Sequence, residues 1–145
     1  MTLVCRNLPE RNLTLAFARG ELRPAEVTAH AAAAGPPAPA APPPAHLVVI
    51  ERQASLHRLD LEALRPAARA YAEAAGGPLV LVAQSSLHDP LAKLFSALLV
   101  LETDGLLKAE VAPSLRDGLG RLGPGARPPD LTSGWDTLVQ RPRRS

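Results

Sequence analysis

The sequence predicts an α/β fold built on a single mixed sheet. Two continuous apolar runs, residues 47–50 and 79–83, are typical of strands covered on both faces, and residues 106–111 are predicted as a further strand. Between residues 91 and 99, apolar side chains recur at i, i+3, i+4, i+7 and i+8, which predicts an amphipathic helix. Strands that alternate with helices favour a parallel sheet with right-handed crossovers. The full predicted order is ββαβαβαβα.

The first two strands of this order form a predicted N-terminal hairpin, residues 3–7 and 13–19. In the second run, Leu13, Leu15 and Phe17 alternate with threonine and alanine, which is the period of a half-buried strand. The hairpin therefore joins the mixed sheet as its antiparallel part.

Four helices are predicted from their start and stop signals. The first runs from Pro24 to about residue 34, because proline is tolerated in the first helical turn. The second covers residues 59–75, and Pro66 either breaks it or marks its start. Asp89 is the predicted cap of the third helix. The fourth covers residues 114–122.

Composition divides the chain into one domain, residues 1–122, and a basic tail, residues 123–145. The domain contains a proline-rich loop at residues 36–45, which begins PPAPAAPPP. This composition favours a polyproline II segment at the surface, with a ligand for SH3-like domains as the alternative. The tail is rich in proline, glycine and arginine, so we expect it to be disordered.

Charge and hydropathy narrow the class of protein. The chain has 16 basic and 14 acidic side chains, and residues 1–122 hold twelve of each, so the net positive charge lies in the tail. Nucleic-acid binding needs clustered positive charge, and residues 1–122 show no obvious cluster of it. We therefore do not expect a nucleic-acid partner. The N-terminus carries charge where a signal peptide needs an apolar core, and no run approaches the ~18 apolar residues of a membrane span. We therefore expect a cytoplasmic protein with no membrane partner.

Cysteine and histidine usage predicts no metal site. Cys5 is the single cysteine, which excludes an intrachain disulfide, and its place in a predicted strand indicates a small buried hydrophobe rather than a reactive thiol. No i, i+4 pairing occurs among the four histidines, His30, His46, His57 and His88. No glycine-rich nucleotide-binding motif occurs either, so we expect no cofactor.

Five stretches carry a resemblance to a known family. They read NLTLAFARG from residue 12, PAEV from residue 24, LVLVAQS from residue 79, PLAKLF from residue 90 and AEVAPSLRDG from residue 109. The hairpin, the β-α units and the final helix resemble the STAS fold of anti-sigma-factor antagonists, and more narrowly the small bacterial STAS-like and SEC14-like proteins. The resemblance covers residues 3–122 and implies a regulatory domain that binds a protein partner.

The antagonists of that family carry a phosphorylatable serine in an Asp-Ser-Ser-Gly-like motif, at the start of the helix after the first buried parallel strand. In this chain Asp60 matches the aspartate, but Leu61 stands where the serine would be, and Ser55 lies several residues earlier. The resemblance therefore implies the scaffold and partner binding, without the phosphorylation switch.

The segment SSLHD, residues 85–89, invites comparison with a catalytic triad. A nucleophile, a base and an orienting acid must converge from separate loops, so we predict no catalytic residue there. The segment lies between a predicted strand and a helix N-terminus, where backbone N–H groups can hold an anion. Ser85, Ser86 and His88 are therefore the candidate ligand-binding residues.

The tail contains the only tryptophan of the chain. Trp135, Leu138 and Val139 would share one face of a short induced helix, and Arg141 follows them. Tryptophan and arginine are typical anchors in recognition, so these four residues are candidate partner-binding residues. A tail that folds back on its own domain is the alternative.

Three functions remain open at this point. The main hypothesis is a non-enzymatic protein-binding or regulatory module of the STAS-like type, with a homodimer among its arrangements. The first alternative is a ligand-binding protein or small enzyme that uses the strand ends at residues 51–60 and 85–89. The second alternative is a structural subunit of a larger assembly, tethered by the tail.

Overall fold

A computed structural model describes residues 3–38 and 40–122, and these contain one five-stranded sheet and four helices. The element order is the predicted ββαβαβαβα, with a 3-10 turn inside the hairpin. The strands are β1 (Leu3–Leu8), β2 (Leu13–Ala18), β3 (Ala45–Ile50), β4 (Leu79–Ala83) and β5 (Glu110–Ala112). The helices are α1 (Pro24–Ala32), α2 (Leu61–Glu73), α3 (Asp89–Glu102) and α4 (Leu115–Leu122).

The strands lie in the sheet in chain order, β1-β2-β3-β4-β5. β1 is antiparallel to β2, while β2, β3, β4 and β5 are mutually parallel, so the sheet is mixed as predicted. Helices α1, α2 and α3 pack side by side on one face. Helix α4 lies on the other face, against β3, β4 and β5. The carboxyl ends of β2, β3 and β4 therefore share one edge of the sheet, which we call the carboxyl edge.

The continuous apolar run in β3 follows from this two-sided cover. Successive side chains of a strand point to opposite faces. Leu47 and Val49 contact the cluster under α4, whereas Val48 and Ile50 belong to the cluster under the three other helices. Because both faces are buried, neither half of the run can be polar. The strand begins at Ala45, two residues before the predicted start.

Helix α4 packs directly on the sheet through a glycine. A Cβ atom added at Gly118 would lie 2.7 Å from Cγ2 of Val82 and 3.0 Å from Cδ1 of Leu47. Ser114 precedes the helix, and its Oγ accepts a hydrogen bond from the N–H of Asp117 at 3.2 Å. This hydrogen bond caps the start of the helix, and the helix lies close to the strands because Gly118 has no side chain.

Helix α2 is continuous from Leu61 to Glu73, and the predicted break at Pro66 is wrong. Asp60 is its cap, with Oδ1 accepting from the N–H of Ala63 at 2.9 Å. Pro66 removes one hydrogen bond inside the helix, to the carbonyl of Glu62. Pro66 and Glu62 both lie on the exposed face. Water can satisfy the released carbonyl there, so the helix continues.

The last strand is shorter than predicted, because β5 covers only Glu110–Ala112 instead of residues 106–111. Thr103 holds the segment between α3 and β5 in a turn. Its Oγ1 accepts from the N–H of Leu107 at 3.0 Å, and its carbonyl accepts from the N–H of Leu106 at 3.1 Å. These backbone donors are therefore engaged in the turn, and Leu106 is exposed.

The proline-rich segment connects α1 to β3 within this one sheet domain. Its end lies against the body of the protein, where the side-chain amide of Asn12 donates to the carbonyl of Pro43 at 3.2 Å. The N–H of Ala45 donates to the carbonyl of Asn12 at 3.0 Å. Among the described residues, no helix combines the length and the apolar character needed to cross a bilayer.

Candidate functional site

Polar side chains gather at the carboxyl edge of the sheet. Arg19 directly follows β2 and Glu51 directly follows β3, and the Arg19 Nε lies 3.2 Å from Oε2 of Glu51. The Glu51 side chain is 6% exposed, so its charge is held in a partly desolvated place next to the guanidinium. In open α/β sheets, ligands bind at this edge because loops after neighbouring strands meet there.

The loops that follow β2 and β3 are joined through their backbones. Ser55 and Glu21 form an isolated parallel bridge, in which the N–H of Ser55 donates to the carbonyl of Gly20 at 2.7 Å. The N–H of Leu22 in turn donates to the carbonyl of Ser55 at 3.0 Å. Gly20 has φ of 61°, a conformation that glycine adopts at little cost. These bonds place the Ser55 and Glu21 side chains next to each other.

Ser55, His57 and Glu21 form a relay of polar contacts on this edge. The Ser55 Oγ lies 2.5 Å from His57 Nδ1, and His57 Nε2 lies 3.2 Å from Oε2 of Glu21. The other carboxylate oxygen of Glu21 binds Nε of Arg58 at 2.9 Å. With the imidazole proton on Nε2, Nδ1 accepts from the serine hydroxyl while Nε2 lies next to the carboxylate. That arrangement can move a proton from Ser55 to His57.

The relay is open to water. The His57 side chain is 64% exposed and the Glu21 side chain 39%. In the serine hydrolases the charge-stabilising groups act in a site that excludes water, where their interactions are stronger. The relay has the order of a Ser–His–acid triad but lies on the surface.

The candidate ligand residues of the β4–α3 loop lie farther along the same edge, and the structure does not test their role. Ser85 is half-buried and its Oγ accepts from the N–H of Leu87 at 3.2 Å. The carbonyl of Ser85 accepts from the N–H of His88 at 3.0 Å, and the carbonyl of Ser86 from the N–H of Asp89 at 3.4 Å. These three N–H donors therefore bind within the loop, and anion binding there stays a prediction.

Asp89 is not the cap of α3, contrary to the sequence prediction. His88 occupies the cap position, and Asp89 is the first helical residue, with its Oδ2 2.9 Å from Nζ of Lys93. The prediction failed because the hydrogen bonds to the Ser85 and Ser86 carbonyls form a turn just before the helix. His88 rather than Asp89 therefore occupies the cap position. His88 is buried, and its Nδ1 has no hydrogen-bond partner among the described residues.

Two leucines of the carboxyl edge face solvent. Leu87, in the loop after β4, is 85% exposed, and Leu61, the first residue of α2, is 43% exposed. Both lie at the same edge of the sheet as the polar groups just described. On the opposite edge, Leu106 is 90% exposed in the turn before β5. The partner-binding candidates Trp135, Leu138, Val139 and Arg141 lie outside the described residues, as does the tail as a whole, so their role stays a prediction.

A second polar cluster lies between β1, α1 and the start of β3, where sequence reasoning placed no site. Cys5 is exposed on β1, which corrects the prediction of a buried hydrophobe. Its Sγ lies 3.3 Å from Nδ1 of His30 in α1. The ring of His30 contacts the ring of His46 edge-on at 6.4 Å between centroids, and His46 contacts Tyr71 at 5.7 Å. The prediction failed because β1 is the outermost strand of the sheet and α1 covers only part of it.

Burial keeps this cluster uncharged. Desolvation lowers the pKa of His30, and repulsion between the protonated forms of His30 and His46 lowers it further. Desolvation also lowers the pKa of His46, opposed by its hydrogen bond to the Ala34 carbonyl. Partial desolvation by the neighbouring residues raises the pKa of the Cys5 thiol, although the residue is exposed. The Cys5–His30 pair is therefore a neutral thiol beside a neutral imidazole, which is not an activated nucleophile.

A cavity of about 100 Å³ separates the sheet from helices α1, α2 and α3. The helices offer small side chains to the sheet there, including Ala31 and Ala92. His30, His46 and Tyr71 supply its polar wall, and the remaining lining side chains are aliphatic or phenylalanine. His30 and His46 also line a surface cleft of about 540 Å³ beside the proline-rich segment.

Sequence reasoning missed the partners that these clusters depend on. Glu21 and Arg19 follow a strand of the hairpin, and no local motif links them to residues 51–58. His30 and His46 carry no spacing signal, because they meet only through the packing of α1 on β3. Within residues 3–38 and 40–122, no group of three or more histidine, cysteine or acidic side chains is placed to hold a metal ion.

Comparison with known proteins found no similarity that would identify the chain. A scan against protein-family models, a search of curated proteins and a search of solved structures each found no match.

Proposed function

We propose that the chain is a non-enzymatic regulatory module of the STAS-like type that binds a protein partner through the carboxyl edge of its sheet. The element order and the mixed sheet support the resemblance on which this proposal rests. We further propose that the module acts in the cytoplasm. The proposal rests on one observation, that Leu87 is exposed on a loop whose backbone is held by hydrogen bonds.

The loop that presents Leu87 is held by the rest of the fold. Ser85 accepts hydrogen bonds from two backbone N–H groups of the loop, and His88 anchors its far end in the interior. A leucine that projects from a fixed backbone needs little ordering when a partner covers it, so less binding energy is lost. Free exposure of such a side chain brings no gain to the isolated domain.

The surroundings of Leu87 fit a protein partner better than a nucleic acid. Leu61 adds a second apolar side chain at the same edge. Arg58 and Glu21 form an ion pair at the same edge, so the charges there are mixed in sign. Interfaces between proteins combine exposed apolar anchors with a polar rim, whereas nucleic-acid interfaces are strongly basic.

The experiment replaces Leu87 and compares the result with a matched control. A photoreactive cross-linking residue is placed at position 87 or at position 106, which is equally exposed on the opposite edge, and the protein is irradiated in the cells that express it. We expect a discrete cross-linked partner from position 87 and not from position 106. With the cross-linking residue kept at position 87, Leu61→Ser should weaken the product, while Leu106→Ser should leave it.

The same experiment distinguishes a homodimer from a complex with a different protein. A cross-link of position 87 to a second copy of the chain would make the carboxyl edge a homodimer interface. A partner captured only from position 106, or lost equally in both serine variants, would contradict the assignment of this edge.

A second candidate function rests on the Ser55–His57–Glu21 relay. In that case the protein is a small enzyme of the acyl-transfer or hydrolase class, with Ser55 as the nucleophile and His57 as the base. The test is covalent labelling with a fluorophosphonate. The Ser55 Oγ would bond to phosphorus, fluoride would leave, and His57 would take the hydroxyl proton.

Mass spectrometry of the labelled protein decides this candidate. A label on Ser55 that disappears in His57→Gln supports the enzyme function. Ser86, an exposed serine of the neighbouring loop, is the matched control residue. If Ser55 is labelled no faster than Ser86, the relay is not a nucleophilic centre.

A further inference from the structure

The cavity under helices α1, α2 and α3 results from the alanine-rich faces of these helices. Ala31 of α1 and Ala92 of α3 are almost fully buried and line it. Methyl groups at these positions leave a space of about 100 Å³ against the sheet. Protein interiors are otherwise closely packed, with few voids larger than a water molecule. An apolar cavity with a few polar groups is where a small ligand binds most favourably.

One wall of the cavity carries an unused hydrogen-bond acceptor. The N–H of His46 at Nε2 donates to the carbonyl of Ala34 at 2.8 Å, so in the neutral ring Nδ1 holds a lone pair. Nδ1 of His46 is buried and has no hydrogen-bond partner among the described residues. An unsatisfied buried acceptor is costly, and a donor that reaches it recovers this cost.

The cavity also has a route of access. His30 and His46 line both the interior cavity and the surface cleft beside Pro36, Pro37 and Pro44. The pair of rings therefore forms the boundary between the cleft and the interior. Because their contact is edge-on, rotation of the His30 ring would open this boundary with no change in the backbone.

We propose that the cavity binds a small uncharged molecule with an apolar body and a single hydroxyl group, which donates its hydrogen bond to Nδ1 of His46. The body of the ligand lies against Ala31, Ala92 and the sheet. Among the residues that the structure describes, no acidic, lysine or arginine side chain lines the cavity, so a charged head group would find no counter-ion there. An engineered cavity of about 150 Å³ holds benzene, so this smaller space suits a body of about four carbons.

The test uses butan-2-ol and butanone, which have the same carbon skeleton and the same number of heavy atoms. The alcohol donates a hydrogen bond, whereas the ketone presents only an acceptor. Each is titrated into the full chain, and the backbone amide shifts are followed by NMR. We expect the shifts to lie around the cavity, with the alcohol binding about fivefold or more tightly than the ketone, because the ketone leaves Nδ1 unpaired.

Two variants separate the head group from the cavity. His46→Phe keeps an aromatic ring but has no acceptor, so it should bring the alcohol and the ketone to equal affinity. Ala92→Leu should fill the space and remove binding of both. Ala97→Leu is the control on the exposed face of the same helix and should bind the alcohol as the original chain does.

Three results would overturn the proposal. Equal binding of alcohol and ketone by the unchanged chain would remove the role of His46 without any need of a variant. Binding that survives Ala92→Leu would place the ligand elsewhere. Absence of saturable alcohol binding, together with a higher unfolding free energy in Ala92→Leu than in Ala97→Leu, would make the cavity an ordinary packing defect.

Discussion

The imidazole of His46 donates from Nε2 to the carbonyl oxygen of Ala34 at 2.8 Å, which joins the start of β3 to the chain just after α1. Carbonyl groups at the end of a helix lack partners within the helix, and this side chain supplies one for the turn that follows α1. The bond requires no charge on the ring. Burial therefore favours the neutral imidazole at no cost to this contact.

The free energy of unfolding should fall in mildly acidic solution because of His30 and His46. The pKa values of His30 and His46 are lowered from the ordinary 6.5, so below about pH 6.5 the unfolded chain binds protons that the folded chain does not. The contribution of His30 and His46 to the free energy of unfolding is fully present above pH 6.5. It is lost as the pH falls towards their lowered pKa values. Each group adds at most about 1.4 kcal/mol per pH unit.

Urea unfolding at pH 7.5, 6.5 and 5.5 measures this dependence. His46→Phe should have a shallower loss of unfolding free energy between pH 6.5 and 5.5 than the original chain. His57→Gln, which removes an exposed histidine, is the control for general effects of histidine removal. Equal slopes in the original chain and in His46→Phe would contradict the prediction.

Removal of the Glu51 carboxylate should destabilise the fold. Glu51→Ala leaves the Arg19 guanidinium without this partner, at a position where the carboxylate side chain is almost buried. Loss of one partner of a partly buried pair costs about 1–3 kcal/mol. Glu10→Ala is the comparison, because the Glu10 carboxylate that pairs with Arg11 is 63% exposed, and ion pairs with an exposed partner contribute about 0–1 kcal/mol. Chemical denaturation of both variants measures the difference, and similar losses would contradict it.

The same substitution at two glycines of α4 should have opposite effects. Gly118→Ala places a methyl group 2.7 Å from Cγ2 of Val82, so the helix must move off the sheet, at a cost of about 1–3 kcal/mol. Gly120 is exposed, and Gly120→Ala should stabilise the helix by about 0.5–1 kcal/mol. Thermal unfolding should lower the midpoint for the first variant and raise it for the second. A raised midpoint in both would show that α4 does not pack as described.

The cap of α2 can be tested by a pair of substitutions at one position. Asp60→Ala removes the acceptor of the Ala63 N–H and should lower the free energy of unfolding by about 1 kcal/mol. Asp60→Asn keeps a side-chain oxygen at the cap and should lose much less. If asparagine costs as much as alanine, the contribution of Asp60 is its charge rather than its hydrogen bond.

The elements of the fold were largely predictable because their signals are local. Two-sided burial leaves a continuous apolar run at residues 79–83, and a capping aspartate at residue 60 marks the start of α2. The strand predicted at residues 106–111 failed for the opposite reason. Apolar side chains at Leu106 and Leu107 resemble a strand, but their backbone groups are taken by the turn at Thr103, which periodicity does not reveal.

The candidate site was predictable only as a region. The strand ends at residues 51–60 and 85–89 could be named, because parallel strands bring their carboxyl ends to one edge. The relay itself joins Glu21 to His57, which are 36 positions apart in the sequence and have no motif in common. Their meeting depends on the bridge between Glu21 and Ser55, which forms only when β2 and β3 pair in register.

Taken by itself, the sequence determined the alternation of strands and helices, since hydrophobic period and capping residues act over a few positions of the chain. Tertiary structure alone decided which polar side chains meet. Cys5 lies on an exposed edge, and His30 and His46 meet at a cavity, because α1 crosses back over the sheet with small side chains facing it. Contacts between distant residues depend on strand register and helix packing, and neither is written in local composition.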